Sequence, residues 1–451
     1  MPYSRRSPAG RTTPAPDEPR PPVPPLRVGV LDAAFLALGR HHSPGAVETG
    51  ILVLMKGTPP PLPALAEHVR ERAECVPALR LRPDRTGPSL RRPRWHHDSA
   101  RDLGAHVGET RGGGQETLAD LAGRTMTRPR PSPDAPPWSL ELLHGAAGPG
   151  GVDADFALLL RHHHALLDGL GAMAVLRGLL GDGPAVAPPP PPGRTATARP
   201  GPARTAAYAL RGTASLATDL VRTAPRSPLL RAPAAWPCAV GWTHVPLEVF
   251  RDIAKTSRTT VNVVYLAALT LALRDHLAAH GQPVPPAVVA TVPMALTPSA
   301  SPAVAGNSIG PARFRLPTGA EDPGECLRGV HRASRTVSRA RRREGSELVL
   351  RAGRLLPSPW TRGLLSASMG ARSVNLVASN LGLIPDTLAC PGGTAAAVAP
   401  LVLRPLGGGL SSGVATCGTT VTVSFVTGPR TDPHGTLPER FQRAVSALRR
   451  P

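Results

Sequence analysis

The stretch His163-His164-Ala165-Leu166-Leu167-Asp168-Gly169 holds the side chains best suited to chemistry in this 451-residue chain. An imidazole has an unperturbed pKa of about 6.5, so it can accept a proton near neutral pH. Held at a fixed point, it would act as a general base and deprotonate an alcohol or amine nucleophile. Asp168 is better suited to anchoring the turn, through a helix N-terminus or an arginine partner, than to taking that proton. Gly169 gives the backbone room to turn sharply. Three plainer readings compete, one being that a seven-residue pattern with four fixed letters arises by chance. A histidine run can bind metal, but successive side chains on a strand end face opposite ways, and no cysteine or acidic cluster supplements the pair. The histidines can also be satisfied structural residues, with Asp-Gly serving only as cap and turn.

The surrounding pattern favours the catalytic reading. Phe156 to Leu160 is a short unbroken apolar run and predicts a buried strand feeding the histidines. Leu170, Met173, Leu176 and Leu180 recur at helical spacing, with Asp168 where an N-cap belongs. A strand end is a rigid platform for an imidazole. Elsewhere the pattern predicts strands at 50–55, 288–292, 374–378 and 419–426, and helices at 62–74, 261–277 and 437–448. Strands mixed with helices on both sides of the chain indicate an α/β or α+β protein.

Four segments are expected. Residues 1–25 are Pro, Arg and Ser without periodicity and read as a disordered leader. Residues 26–181 form a first half containing the motif. Residues 182–235, with five consecutive prolines from Pro188 to Pro192, read as an extended linker or crossover. Residues 236–451 form a second half.

The formal net charge of +21 admits a polyanion partner such as nucleic acid, an anionic membrane or a phosphorylated cofactor. Nearly all of it is arginine, lysine occurring only at Lys56 and Lys255, and an Ala-, Arg-, Gly- and Pro-rich composition is also what a GC-rich genome writes at unconstrained surface positions. Aromatic residues make up 3%, too few for the stacking platforms of a single-stranded nucleic-acid reader, so no nucleic-acid partner is expected. The five cysteines are dispersed and without C-x-x-C spacing, which argues against a disulfide framework or zinc site and for a reducing cytoplasm. No apolar run approaches membrane-spanning length, so contact with a membrane or lipid droplet would be peripheral.

The motif resembles the signature of the CoA-dependent acyltransferase superfamily, which includes chloramphenicol acetyltransferases, carnitine acyltransferases and non-ribosomal condensation domains. The wider pattern is most similar to the bacterial wax ester synthase/diacylglycerol acyltransferase family. Leu31-Asp32-Ala33-Ala34-Phe35 matches its opening Leu-Asp-Ala-x-Phe, and Pro137-Trp138-Ser139-Leu140-Glu141 lies where it has Pro-Leu-Trp-Glu. Thr260-Val261-Asn262, Val292-Pro293-Met294, Gly306-Asn307, Leu316-Pro317, Asn375 and Ser379-Asn380 follow in family order. Val263 replaces the family's Asp after Asn, and Leu381-Gly382-Leu383 replaces Val-Pro-Gly-Pro. Such departures fit a specialised member.

The resemblance implies two chloramphenicol-acetyltransferase-like α/β halves around a central tunnel. It implies His164 as the base, His163 as its orienting neighbour, and Asn262 as a donor to the thioester oxyanion. Asp168, Gly169, Asn307, Ser379 and Asn380 would support the site. The co-substrate would be acyl-CoA and the acceptor a hydroxyl or amine compound, with no metal or redox cofactor. Three functions are weighed: acyl transfer to an alcohol of the diacylglycerol or fatty-alcohol type; ester or amide formation on a natural product; and non-catalytic binding of phosphates on the same scaffold.

Overall fold

The apolar run before the histidines forms the strand Phe156–His163, buried at all eight positions in the computed structural model. Both faces of a central strand are covered, which is why the run does not alternate. The structure describes residues 26–41, 45–84, 92–114, 116–130, 134–146, 154–181, 202–231, 238–296, 306–337, 339–384 and 387–449.

Two six-stranded sheets carry the fold. In the first, the motif strand lies between Glu48–Gly57 and Trp138–His144, antiparallel to both. Val107–Arg111 continues beyond Trp138–His144, in parallel. The second sheet runs Ile309–Leu316, Val288–Ala295, Leu376–Ile384, Leu410–Cys417, Thr420–Thr427, Ala239–Pro246. Leu376–Ile384 is parallel to both of its neighbours.

Each sheet has its own apolar core. The first gathers Ile51, Leu158, Leu160, Leu176 and Trp138; the second gathers Leu266, Leu269, Ala290, Leu376 and Phe425. A third cluster joins the two sheets, with Leu52, Leu121, Leu159 and Leu401 meeting Trp242 and Val426. The helix Val261–Ala279 is long and apolar enough to cross a membrane, but 67% of it is buried in the second core.

Two boundaries differ from the sequence expectation. The strands Ala389–Cys390 and Gly393–Leu401 fall within the expected second half, yet they extend the first sheet. Gly393–Leu401 pairs with Glu48–Gly57 and covers what would otherwise be an open sheet edge. The expected linker also contains a 20-residue helix, Pro202–Val221. That helix packs against Arg339–Gly353 through a glycine on each, Gly212 and Gly345, where a Cβ would meet partner backbone. The leader 1–25 and the proline run lie outside the described residues.

Candidate active site

His163 ends its strand and His164 begins the turn. The backbone fixes both: His163 N–H donates to the Pro137 carbonyl at 2.9 Å and His164 N–H to the Val47 carbonyl at 2.9 Å. The two rings then part. His163 Nδ1 accepts the Ala165 N–H at 3.0 Å, and a Cβ at Gly39 would lie 2.9 Å from its Nε2. The His164 ring stacks on Phe35, centroids 4.5 Å apart and planes within 5°. Phe35 belongs to the helix Val30–His41, whose inward face also buries Asp32.

The turn is closed from the second half. Asp168 caps the helix Gly169–Leu180, its Oδ1 accepting from Gly171 N–H at 2.9 Å. Its Oδ2 accepts from Ser308 N–H at 3.0 Å. Gly306 N–H donates to the Leu166 carbonyl at 2.8 Å. Between them, Asn307 spends both amide hydrogens: Nδ2 donates to the His164 carbonyl at 2.6 Å and to Asp32 Oδ1 at 2.7 Å. Asn307 N–H donates to the same Asp32 oxygen at 2.9 Å. Among the described residues, Asn307 Oδ1 and His164 Nδ1 are both buried without a hydrogen-bond partner.

Burial sets the electrostatics. It lowers the His164 pKa below the ordinary imidazole value, against the opposing effects of its own carbonyl, the Asp168 charge and Asn307. It lowers His162 to about 3, so that ring, packed on Thr49, stays neutral. Asp32 is raised to about 6: burial and the nearby Asp168 charge outweigh the bonds from Asn307 and Gly29. Glu48 sits opposite His163 in the strand register. Burial pushes its carboxyl up, but the charges of Arg130, His163 and Arg161 prevail and hold it below the usual carboxylate range. No group of three or more His, Cys, Asp and Glu side chains among the described residues could hold a metal ion.

Comparison with known proteins matches residues 29–354 to the wax ester synthase/diacylglycerol acyltransferase catalytic domain and residues 305–448 to the C-terminal domain of the same family. The chain belongs to the wax ester synthase/diacylglycerol acyltransferase family. It is 29% identical to Rv3087 of Mycobacterium tuberculosis over 356 residues, 71% of this chain and 74% of that protein. It is 28% identical over 388 residues to tgs1 of the same species, named a probable diacylglycerol O-acyltransferase, covering 78% and 80% of the two chains. Among solved structures, the wax ester synthase/diacylglycerol acyltransferase of Marinobacter aquaeolei aligns with a TM-score of 0.64 at 21% identity, over 94% of this chain and 98% of that one. The first condensation domain of the CDA synthetase aligns at 0.63 and 16% identity, over 95% and 97%. These likenesses establish the expected chloramphenicol-acetyltransferase-like fold.

The family's landmarks have different structural duties in this chain. Asp32, Phe35, Pro137 and Asn307 meet around the histidines. Asn375 is structural: its Oδ1 accepts from Val289 N–H and its Nδ2 donates to the Pro225 carbonyl, beneath the second sheet. Asn262 Oδ1 accepts from Asn380 Nδ2 at 3.1 Å, and among the described residues neither side chain hydrogen-bonds to His164. Ser379 is half-buried beside it. Gly169 needs no left-handed backbone; its missing Cβ leaves room for Leu381, whose Cδ2 would stand 2.5 Å away. Asp32, Phe35 and Glu48 join the site although the sequence expectation does not include them. The opening motif contained the first two, but nothing local tells a helix residue that it faces a histidine far along the chain.

Asp168→Ala should remove both the helix cap and the tie to Ser308. A loss of roughly 0.5–2 kcal/mol is expected for the cap, measured as a fall in thermal midpoint, together with reduced turnover. The depressed His164 pKa also fixes a pH dependence, because a base with a lowered pKa stays unprotonated further into acid. The acid limb of kcat/KM is expected to have its midpoint below about 6.5; a midpoint above that value would contradict the assignment.

Proposed function

We propose that this family member transfers an acyl group from acyl-CoA to the hydroxyl of an apolar acceptor of the diacylglycerol or fatty-alcohol type. The observation that carries this reading is the His164 imidazole, stacked on Phe35, kept neutral by burial and held by its backbone from both halves. Asn307 Oδ1 and His164 Nδ1 are complementary if Nδ1 carries the ring proton, which leaves the Nε2 lone pair for the acceptor. Asn307 is thus a positioning residue and His163 a neighbour that shapes the turn.

In the proposed reaction His164 Nε2 takes the hydroxyl proton as the oxygen attacks the thioester carbonyl carbon. The resulting oxyanion is met by an amide donor, and Asn262 Nδ2 is our candidate, its Oδ1 being occupied by Asn380. Collapse breaks the carbon–sulfur bond, and the proton passes from His164 to the departing thiolate. The product is an ester and free CoA. Acyl-CoA is the only co-substrate this route requires. Exposed Leu170 and Leu383, flanking the Gly169–Leu381 contact, support an apolar acceptor. Five free cysteines, four of them buried, support a reducing, cytoplasmic setting.

The Leu381-Gly382-Leu383 departure favours a second acceptor class, a natural product forming an ester or amide. A panel of alcohols and amines under one acyl-CoA separates the two.

His164→Ala should abolish thiol release from acyl-CoA, by at least the roughly 10²–10⁴-fold contributed by a general base. His163→Ala should be milder. Normal turnover in folded His164→Ala protein would remove the base and leave a non-catalytic binding scaffold as the better account.

A further inference from the structure

The helix Ser358–Met369 turns an apolar face outward. Its exposed positions are Pro359, Trp360, Gly363, Leu364 and Ala367, none of them charged, while Ser358 and Thr361 are buried. A surface helix facing water shows the reverse arrangement. The preceding helix and the turn between the two add exposed Leu348, Val349, Leu355 and Leu356, Leu355 being 87% exposed and Trp360 68%. Eleven large apolar side chains are exposed among the described residues, and six of them lie between Leu348 and Leu364. Single exposed leucines need no explanation, but this concentration marks an interaction surface.

The charge beside it selects the partner. From Leu348 to Arg372 the chain has four arginines and no acidic residue. Arg351 and Arg354 are exposed, and Arg351 lies 3.6 Å from Glu347. Arg354 is grouped with Arg27 and Arg92. Arg92 donates to the Arg354 carbonyl, and burial with the charges of Arg354 and Arg27 holds its pKa below the usual guanidinium value. Like charges gathered beside an apolar face suit an anionic bilayer, whose acyl region accepts leucine and indole while its phosphates accept guanidiniums. A second copy would set its own arginines against these. The chain's own remaining segments also match poorly. Residues 1–25 carry four arginines against two acidic residues, with only Met1, Tyr3 and Val23 as large apolar side chains, and residues 182–201 offer Val186 alone.

The inner side of this region is firmly seated. The helix Ser358–Met369 packs on Val30–His41, the helix that carries Asp32 and Phe35. The missing Cβ of Gly353 leaves room for Val30, whose Cγ1 would stand 2.9 Å away, and Leu365 and Met369 join Leu31 against the first core. The apolar face is therefore presented on a fixed support. We propose that the stretch from Arg351 to Ala367 is the face by which this protein docks on an anionic lipid surface. Leu355, Leu356, Trp360 and Leu364 enter the acyl boundary, and Arg351, Arg354 and Arg362 meet the lipid phosphates. The indole of Trp360, an apolar body with one N–H, suits the headgroup level. This docking stands apart from the acyl-transfer reading, and its test needs no turnover.

The full chain is mixed with phosphatidylglycerol vesicles and, separately, with phosphatidylcholine vesicles, and the bound fraction is read by sedimentation. The unaltered protein should bind the anionic vesicles about tenfold or more tightly than the neutral ones, and less so at high salt. Acyl chains brominated near the headgroup should quench the emission of Trp360, a signal lost in Trp360→Phe, since Trp95, Trp138 and Trp242 are buried. Trp360→Ser combined with Leu364→Ser should weaken vesicle binding about tenfold or more. Each of Arg351→Gln, Arg354→Gln and Arg362→Gln should weaken it about fivefold at low salt. Thermal midpoints measured beside these values should stay put, which separates lost docking from lost folding. Equal binding by the double serine variant would overturn the proposal. So would an unaltered protein that ignores phosphatidylglycerol. If that protein is monomeric, the face belongs to the chain's own segments. If it is a dimer that Trp360→Ser dissolves, the face belongs to a second copy.

Discussion

One carboxamide, that of Asn307, ties the His164 turn to Asp32 across the two halves. Its two amide hydrogens reach the His164 carbonyl and Asp32, which belong to separate elements of the first half. Asn307 itself comes from the second half, in the stretch between Val288–Ala295 and Ile309–Leu316. The His164 turn is thus held from both halves, its N–H by Val47 and its carbonyl by Asn307. The adjoining bonds, Gly306 to Leu166 and Ser308 to Asp168, close the same seam on either side.

That bridge has an electrostatic cost. A carboxylate at Asp32 is 5% exposed and lies near the charge of Asp168, which is why its pKa rises to about 6. Two backbone or amide donors on one oxygen do not fully compensate for lost water. Glu48 shows the opposite balance, because Arg130 and Arg161 surround it with full positive charge. Beneath the histidines, then, one buried acid is neutralised by ions and the other is held by neutral donors. Only the second is linked to His164 by a shared amide, so acid near pH 6 weakens the acceptor that orients Asn307.

Much of this was legible in the sequence, for physical reasons. The motif strand is buried on both faces, so its unbroken apolar run marks it. The helix after Asp168 has its cap, its period and its start within a few residues. The family landmarks, in order, mark Asn307 as a supporting position, whereas Asp32 enters only as a letter of the opening motif. What stayed hidden is long-range. Asp32 to Asn307 spans 275 residues, and nothing in either segment specifies the pairing. The return of Gly393–Leu401 to the first sheet is equally silent, because a strand's own pattern does not name its partner. The helix Pro202–Val221 was obscured by its setting next to the proline-rich stretch, although its own residues favour helix.

Asn307→Ala, assayed for kcat and thermal midpoint together, tests this account most directly. The variant keeps His164, Phe35 and Asp168 and removes only the side-chain amide that bridges the His164 carbonyl and Asp32. The account expects a folded protein whose kcat falls by about tenfold or more, the loss of about 1.4 kcal/mol or more from the transition state, with little change in KM for acyl-CoA. A kcat equal to that of the unaltered protein would show that His164 is positioned without Asn307, and would contradict the central claim.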